Sequence, residues 1–327
     1  MINNYSSQRI LKLIIIMAIT GLIAIALGNS YLGQSNSKPV SSSPTEYRLV
    51  KDAIAEVKVP INPQRLVTLH GTALESVLAL GEKPVGTTLN GDLDRQPDFL
   101  SKQLSNVKVL GSFGEPNLEK ILLTKPDLIL DLDTANIYDH LSQIAPTVVS
   151  ESNFSNNWQP SLKLYAEALG KPEVAEKIIA NYYSRLEKLR AAINQKGKPI
   201  TVSVVRIYPQ GIALYQPDSF SGSILSDAGL SRPPLQRQGG GQQLTSQELI
   251  SEADADIIFY WVYGDDYHSK EDRIQSSLAQ LQSDPLWLQL DAVQQGKAYQ
   301  VPGYWIGYGP LAANAIIDDL YKYILDK

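Results

Sequence analysis

One long amphipathic helix divides a chain that otherwise alternates between short strands and helices. No strand signal occurs from Pro172 to Asn194. Apolar residues recur there every three or four positions, at Val174, Ile178, Tyr182, Leu186, Leu189 and Ile193. This spacing is typical of an amphipathic helix, and Pro172 suits the first turn of one. At roughly 1.5 Å per residue, such a helix would span about 35 Å and would form a stiff connection between two parts of the molecule.

Strands and helices alternate on both sides of this helix. The strand Arg65–Leu69 is followed by the helix Gly71–Gly81, for example, and "ITVSVVRIY" resumes the pattern after residue 198. Such alternation predicts a parallel sheet covered by helices on both faces. The expected fold class is α/β, with two lobes of parallel-rich sheets joined by one long bridging helix and a ligand cleft between the lobes. The expected boundaries are 47–157 for the first lobe, 158–198 for the bridging helical segment and 199–327 for the second lobe.

The N-terminus has the layout of an export signal. Arg9 and Lys12 precede the apolar stretch Leu13–Leu27, which small residues follow. This stretch is short for a membrane span, which needs about 20 helical residues. Residues 1–28 are therefore interpreted as a cleaved signal peptide or, alternatively, a retained anchor. Residues 29–46 are rich in Ser and Asn and predict a flexible tether.

Charge and cysteine content exclude several classes of protein. The net charge of −5 provides no concentrated basic surface for nucleic acid. The chain contains no cysteine, so it has no disulfide framework, thiolate metal site or cysteine nucleophile. A lipoprotein signal would place a lipid-carrying cysteine where this chain has Asn29. We therefore expect an exported, periplasmic protein that is not a lipoprotein.

One helix-to-strand unit occurs twice, once in each lobe. In "PNLEKILLTKPDLIL", Glu119 precedes Asp127 by eight residues, and Asp127 opens an apolar run. In "SQELISEADADIIF", Glu248 precedes Asp256 by the same spacing. The duplication indicates that the two lobes are built alike and present a glutamate at equivalent positions.

Polar aromatic and basic residues gather at the expected carboxyl ends of the strands, where a cleft between two lobes takes its ligand. In the first lobe they are His70, Thr72, Arg95 and Phe113. In the second lobe they are Arg206, Tyr208, Tyr215, Arg232, Trp261, Tyr263, Tyr304, Trp305 and Tyr308. The chain has seventeen tyrosines and five phenylalanines. Amphipathic rings suit a partly wet pocket that binds a large polar ligand by ring face and hydroxyl.

Four segments together resemble the periplasmic substrate-binding proteins of ABC importers, of the iron-siderophore and cobalamin type. They are "RLVTLHGTALESVLALGEKPVG", "EPNLEKILLTKPDLIL", "LTSQELISEADADIIF" and "YWIGYGPLAANAIIDDLYKYIL". The resemblance covers essentially all of residues 47–327. It implies a monomer that captures a ferric siderophore, of the hydroxamate or citrate type, and delivers it to a membrane permease dimer. It also implies that Glu119 and Glu248 pair with arginines of the two permease subunits.

The first lobe departs from this pattern at one position. Hydroxamate-binding relatives often carry an arginine just before "EPNLE", where this chain has Phe113. Arg95 is the remaining first-lobe residue expected to supply a positive charge. Arginines are expected at such a site because they bind carboxylates and other oxyanions through two parallel hydrogen bonds.

Three other functions remain as alternatives. A haem or cobalamin carrier of the same fold is the nearest, with His70 or a cleft tyrosine as an axial ligand. A direct metal-ion binder should concentrate histidines and carboxylates, but His70, His140 and His268 show no paired spacing. An enzyme should show a nucleophile elbow, a dinucleotide fingerprint or a phosphate loop, and none occurs. The sequence therefore predicts no catalytic residues, no resident cofactor and no metal site.

Overall fold

The computed structural model describes residues 46–91, 93, 96–132, 136–151, 158–209, 211–262 and 271–325. The expected signal at residues 1–28 and the expected tether as far as residue 45 lie outside the described residues, as do Arg95, Tyr263 and His268. No helix within the described part of the chain is both long enough and apolar enough to cross a membrane.

The first lobe is built on a five-stranded parallel sheet. Its described strands in chain order are β3 (Leu66–Thr68), β4 (Gly86–Thr87), β5 (Lys108–Val109), β8 (Leu128–Leu132) and β9 (Thr147–Ser150). Their spatial order is β5-β4-β3-β8-β9, so β3 occupies the centre. Two small hairpins flank this sheet, formed by β1 (Tyr47–Lys51) with β2 (Glu56–Pro60) and by β6 (Gly111–Ser112) with β7 (Glu115–Pro116).

The second lobe is built on a mixed sheet of five strands. Its described strands are β10 (Val202–Tyr208), β11 (Gly211–Tyr215), β12 (Gln242–Thr245), β13 (Ile257–Val262) and β14 (Ala298–Gln300). The spatial order is β12-β11-β10-β13-β14, with β10 at the centre. β10, β13 and β14 run parallel, whereas β11 and β12 form antiparallel pairs. One side of β10 therefore carries the antiparallel strands β11 and β12, whereas both sides of β3 in the first sheet carry parallel strands.

Helices cover both sheets. In the first lobe they are α1 (Gly71–Ala79), α2 (Asp98–Ser101), α3 (Leu118–Leu123) and α4 (Tyr138–Ile144). Two helices, α5 (Trp158–Leu169) and α6 (Pro172–Asn194), follow the first sheet and precede the second along the chain. The second lobe contributes α7 (Phe220–Asp227), α8 (Glu271–Ser283), α9 (Pro285–Leu288), α10 (Asp291–Gln294) and α11 (Pro310–Leu320). Three 3₁₀ segments lie among these, at Pro234–Gln236, Gln247–Ala253 and Gly303–Trp305, and a π-helical segment follows α11 at Tyr321–Leu325.

The bridging helix has the bounds that the sequence predicts. α6 runs from Pro172 to Asn194 over 23 residues without interruption. Three of the apolar positions named above, Tyr182, Leu186 and Leu189, are 1% exposed or less. The α/β class with two parallel-rich sheets and one long connecting helix is thus confirmed. The exact lobe boundaries drawn above stay predictions.

A single hydrophobic cluster extends from one sheet to the other. It contains Leu128 from β8, Leu162 from α5, Tyr182 from α6, Phe259 from β13 and Ile316 from α11. α11, which follows the second sheet in sequence, therefore shares a core with the first lobe. The two lobes are therefore packed against each other through a continuous apolar core.

The duplicated unit is visible as equivalent hydrogen bonds. Asp127 precedes β8, and its carboxylate accepts from the backbone N–H of Arg65, just before the central strand β3. Asp256 precedes β13 and accepts from Thr201 N–H, just before the central strand β10. The helices differ, because α3 is α-helical whereas Gln247–Ala253 is a 3₁₀ segment with non-helical torsion angles at Leu249.

Candidate functional site

His70 lies in the first lobe, where β3 ends and α1 starts. Its backbone is extended and its Nδ1 accepts a hydrogen bond from Thr72 N–H at 3.1 Å, which caps the helix. Because Nδ1 accepts, the proton of the neutral ring resides on Nε2. Burial lowers the pKa of His70 from 6.5 to about 4, so the ring is uncharged at neutral pH.

Three rings from the two lobes meet at this point. The ring centres of His70 and Phe113 are 5.2 Å apart. Tyr308 of the second lobe stands edge-on to both, at 5.3 Å from His70 and 5.4 Å from Phe113. Edge-to-face contacts at these distances are favourable for aromatic rings. His70, Phe113 and Tyr308 are therefore brought together, as expected for residues that line one cleft.

A small pocket of about 40 Å³ lies beside these rings, between the lobes. We call it the interlobe pocket. The first lobe contributes α1, the residues after β4 and α2 to its wall, and the second lobe contributes Gly303, Tyr304 and Ile306 to Tyr308. Ring faces and apolar side chains dominate this lining, with Asn90, Gln96 and Glu75 as polar members. This composition suits ligand groups that are partly apolar and partly hydrogen-bonding.

Asn90 and Gln96 are pocket residues that the sequence reasoning missed. Asn90 Oδ1 accepts from Phe113 N–H at 3.0 Å, and Gln96 Nε2 donates to Asn90 O at 2.9 Å. These bonds fix the backbone that carries the Phe113 ring. The Asn-Gly pair at residues 90–91, a common turn signal directly after the predicted strand "KPVGTTL", was the available clue.

Tyr304 and Trp305 share one acceptor but face different surroundings. Tyr304 Oη donates to Asp319 Oδ2 at 2.7 Å, and Trp305 Nε1 donates to the same oxygen at 2.8 Å. Tyr304 lines the interlobe pocket and stands edge-on to Phe99 at 5.6 Å. Trp305 is fully buried with its ring 4.4 Å from that of Phe259. The structure thus places Tyr304 in the pocket wall and Trp305 in the core behind it.

A second group of predicted residues lies on one face of the second sheet. Arg206 is in register with Trp261 on β13 and with Ala213 on β11. Tyr208 and Tyr215 fall two residues from Arg206 and Ala213 along their strands, so they share that face. The Arg206 guanidinium lies 5.0 Å over the Tyr208 ring, a cation–π contact, and Arg206 is 7% exposed.

Arg232 joins this group from the segment after α7. Its Nη2 donates to Tyr215 O at 2.7 Å and to Gln236 Oε1 at 2.5 Å. Its Nε and Nη1, and Trp261 Nε1 nearby, are buried without a hydrogen-bond acceptor among the described residues. Burial lowers the pKa of Arg232 to about 10, which leaves it charged at neutral pH. We call Arg206, Arg232, Tyr208, Tyr215 and Trp261 the arginine cluster.

The remaining predictions concern surface carboxylates and metal ligands. Glu119 and Glu248 are both exposed, at the starts of α3 and of the 3₁₀ segment Gln247–Ala253. Among the described residues, no group of three or more His, Asp or Glu side chains is placed to hold a metal ion. The ligand roles of the individual pocket and cluster residues stay predictions.

Comparison with known proteins agrees with this geometry. The family model described as periplasmic binding protein matches residues 66–304. The chain is 37% identical to a probable siderophore-binding lipoprotein, YfiY, of Bacillus subtilis (strain 168), over 93% of this chain and 95% of that protein. It is 32% identical to the achromobactin-binding periplasmic protein of Dickeya dadantii (strain 3937), over 80% of this chain and 86% of that protein.

Solved structures give the same result. The crystal structure of Staphylococcus aureus SirA complexed with staphyloferrin B superposes with a TM-score of 0.74 at 28% identity. The match covers 85% of this chain and 98% of SirA. The relatives include periplasmic proteins and lipoproteins, and this chain has no cysteine for lipid attachment. The chain therefore belongs to the periplasmic binding protein family, a family of extracytoplasmic binding proteins and not of enzymes, among the substrate-binding proteins of iron-siderophore uptake.

Proposed function

We propose that this protein captures a ferric siderophore between its lobes and delivers it to the permease of an ABC importer. The observation that carries the proposal is the interlobe pocket, whose walls come from both lobes and include Phe113 and Tyr308, the two rings that contact His70. The similarity to YfiY, named as a probable siderophore-binding lipoprotein, and to SirA in its complex with staphyloferrin B supports the same ligand class.

We infer further that the siderophore bears carboxylates, as citrate-type siderophores do. Arg232 in the second lobe is 4% exposed. Keeping a guanidinium out of water is costly unless an anionic partner compensates for it. Arg232 retains two N–H groups without an acceptor among the described residues, and a guanidinium binds a carboxylate with two parallel hydrogen bonds. A ferric hydroxamate lacking carboxylates offers no such partner, which favours the citrate type over the hydroxamate type.

The experiment that tests this proposal is a fluorescence titration of the wild-type protein and the Arg232→Met variant. The ligands are ferric citrate, ferric staphyloferrin B and a carboxylate-free ferric hydroxamate. We expect the wild type to prefer the first two, and Arg232→Met to lose about tenfold in affinity for them, as expected when a charged hydrogen bond is removed. Arg190→Met, on the exposed surface of α6, is the matched control. Equal affinity for the hydroxamate would refute the carboxylate assignment, and a Soret band on incubation with haem would favour the haem alternative.

Docking on the permease is assigned to the surfaces around Glu119 and Glu248. Each glutamate is exposed and lies beside exposed apolar side chains. Leu122 and Leu123 are 58% and 75% exposed near Glu119, and Leu249 is 44% exposed next to Glu248. Exposed apolar side chains clustered around a charge are typical of protein interaction sites. A single chain carries both surfaces, so a monomer is expected to contact both subunits of a permease dimer.

A further inference from the structure

Glu75 joins the two lobes through one buried hydrogen bond. It lies in α1 of the first lobe, is 2% exposed, and accepts from Ala312 N–H through Oε2 at 2.8 Å. Ala312 belongs to the first turn of α11, 237 residues later in the chain. The first backbone N–H groups of a helix have no acceptor within the helix. The residue before α11, Gly309, has no side chain to supply one, so a carboxylate of the opposite lobe caps this helix.

The backbone of the second lobe is shaped to receive this carboxylate. A Cβ added to Gly309 would lie 2.7 Å from Glu75 Cβ, closer than real side chains approach. The φ of Gly309 is −168°, an extended value that any residue adopts, so glycine is needed there for space and not for conformation. A Cβ on Gly71, one turn before Glu75, would similarly meet the Tyr308 ring at 2.8 Å. α1 is therefore in direct contact with the backbone that precedes α11.

Glu75 also belongs to the lining of the interlobe pocket, together with Tyr304 and Tyr308. These tyrosines lie within eight positions before Ala312, on the segment that leads into α11. Gly307, between them, has a φ of +56°, and a Cβ there would overlap the Phe220 ring at 1.8 Å. The segment is thus held by Phe220 on its second-lobe side, and the Glu75 cap holds its end against the first lobe.

We propose that Glu75 is a positioning residue of the binding site. By capping α11 it holds Tyr304 and Tyr308 opposite His70 and Phe113, so that the two walls of the interlobe pocket keep their spacing without ligand. Preorganised walls strengthen binding because less ordering is required when the ligand arrives. The inference rests on the proposed function, since it takes the interlobe pocket to be the place where the ferric siderophore binds.

The test compares Glu75→Gln, which keeps an acceptor oxygen, with Glu75→Met, which keeps the length and removes it. Glu187→Met, on the exposed surface of α6, is the control. Dissociation constants for ferric staphyloferrin B are measured alongside amide exchange at Leu311 and Ala312 in the unliganded proteins. We expect binding close to wild type for Glu75→Gln and about tenfold weaker for Glu75→Met, as for a lost hydrogen bond to a charged group. Exchange at both amides should accelerate only in Glu75→Met.

A double-mutant cycle with Tyr308→Ala separates positioning from general loss of structure. If Glu75 acts through Tyr308, then Tyr308→Ala should weaken binding less in the Glu75→Met protein than in the wild type. Gly309→Ala serves as an independent variant, because its added methyl displaces the helix while the carboxylate remains. It should also weaken binding, even if Glu75→Met does not fold.

Two results would overturn the inference, and they are distinguishable. If the wild type binds ferric staphyloferrin B while Glu75→Met and Gly309→Ala bind it equally well, the positioning role is wrong and the proposed function stands. If the wild type binds neither ferric staphyloferrin B nor ferric citrate, the proposed function fails and the inference fails with it.

Discussion

Asp127 and Asp256 make equivalent hydrogen bonds in the two lobes, each to a backbone N–H that immediately precedes the central strand of its sheet. Asp127 accepts from Gln64 N–H at 2.7 Å and from Arg65 N–H at 2.9 Å. Asp256 accepts from Thr201 N–H at 2.8 Å. The shared geometry explains why the same helix-to-strand unit occurs twice, because each copy fixes the entry of the chain into a sheet.

Replacing these aspartates should destabilise the fold without altering the binding site directly. We expect Asp127→Ala to lower the free energy of unfolding by about 1–3 kcal/mol, since two backbone N–H groups lose a charged acceptor. Asp256→Ala removes one such bond and should cost less. Urea denaturation followed by circular dichroism measures both. Equal stability of Asp127→Ala and the wild type would show that these hydrogen bonds do not stabilise the fold.

Docking and capture should be separable by charge reversal. The double variant Glu119→Arg, Glu248→Arg should keep its affinity for ferric citrate and lose import, because both side chains are exposed on helical segments and do not line the pocket. Exposed ion pairs contribute only about 0.2–1 kcal/mol each, so single variants should lose import partially. Glu173→Arg and Glu187→Arg on α6 are the matched controls. Normal siderophore-dependent growth of the double variant would refute the docking role.

Burial of Glu75 should make stability depend on pH in a defined direction. Desolvation raises its pKa from 4.5 to about 7, against the opposing hydrogen bonds from Ala312 and Leu311. The folded state therefore holds this proton more tightly than the unfolded state. The contribution of Glu75 to stability is complete below pH 4.5 and is lost as the pH rises towards 7, by up to about 3 kcal/mol.

Comparison with Glu75→Gln isolates this effect. His70 acts in the opposite direction, because its lowered pKa means that stability is lost as the pH falls from 6.5 towards 4. Both proteins retain His70, so its contribution cancels in the difference. We expect the unfolding free energy of the wild type to fall relative to that of Glu75→Gln between pH 4.5 and 7. Parallel stability profiles over this range would contradict the raised pKa.

Lobe movement on binding should be small. α6 is a continuous rod from Pro172 to Asn194, and bending it would break backbone hydrogen bonds. The shared core and the Glu75–Ala312 bond add a second connection between the lobes. X-ray scattering profiles with and without ferric citrate should therefore superpose. A clear fall in the radius of gyration on addition of the ligand would show that the lobes hinge.

Helices and strands whose apolar residues recur regularly were predictable from the sequence. The bounds of α6 follow from its apolar spacing and the proline at its first turn. The central strands follow from apolar runs such as "RLVTL" and "ITVSVVRIY", because strands buried on both faces need continuous apolar residues. His70 and Phe113 were both expected at the cleft and they do meet, although Phe113 lies in the turn between β6 and β7 and not at the end of a parallel strand.

Contacts that depend on side-chain direction were not predictable in this way. Trp305 and Tyr304 are neighbours in sequence, yet one is buried against Phe259 and the other lines the pocket. Residue type and position near a strand end do not specify which way a ring turns. Glu75 gave a weak signal, as the one charged residue in the apolar helix Gly71–Ala79, but its partner lies 237 residues away.

The most direct test of the whole account is a titration of the wild-type protein, followed by intrinsic fluorescence and visible absorbance. The ligands are ferric citrate and ferric staphyloferrin B, their iron-free forms, and haem. We predict saturable quenching by the ferric siderophores, with the visible charge-transfer band of the iron complex retained on the protein. Binding of haem with a Soret band, or no saturable response to either ferric siderophore, would contradict the account.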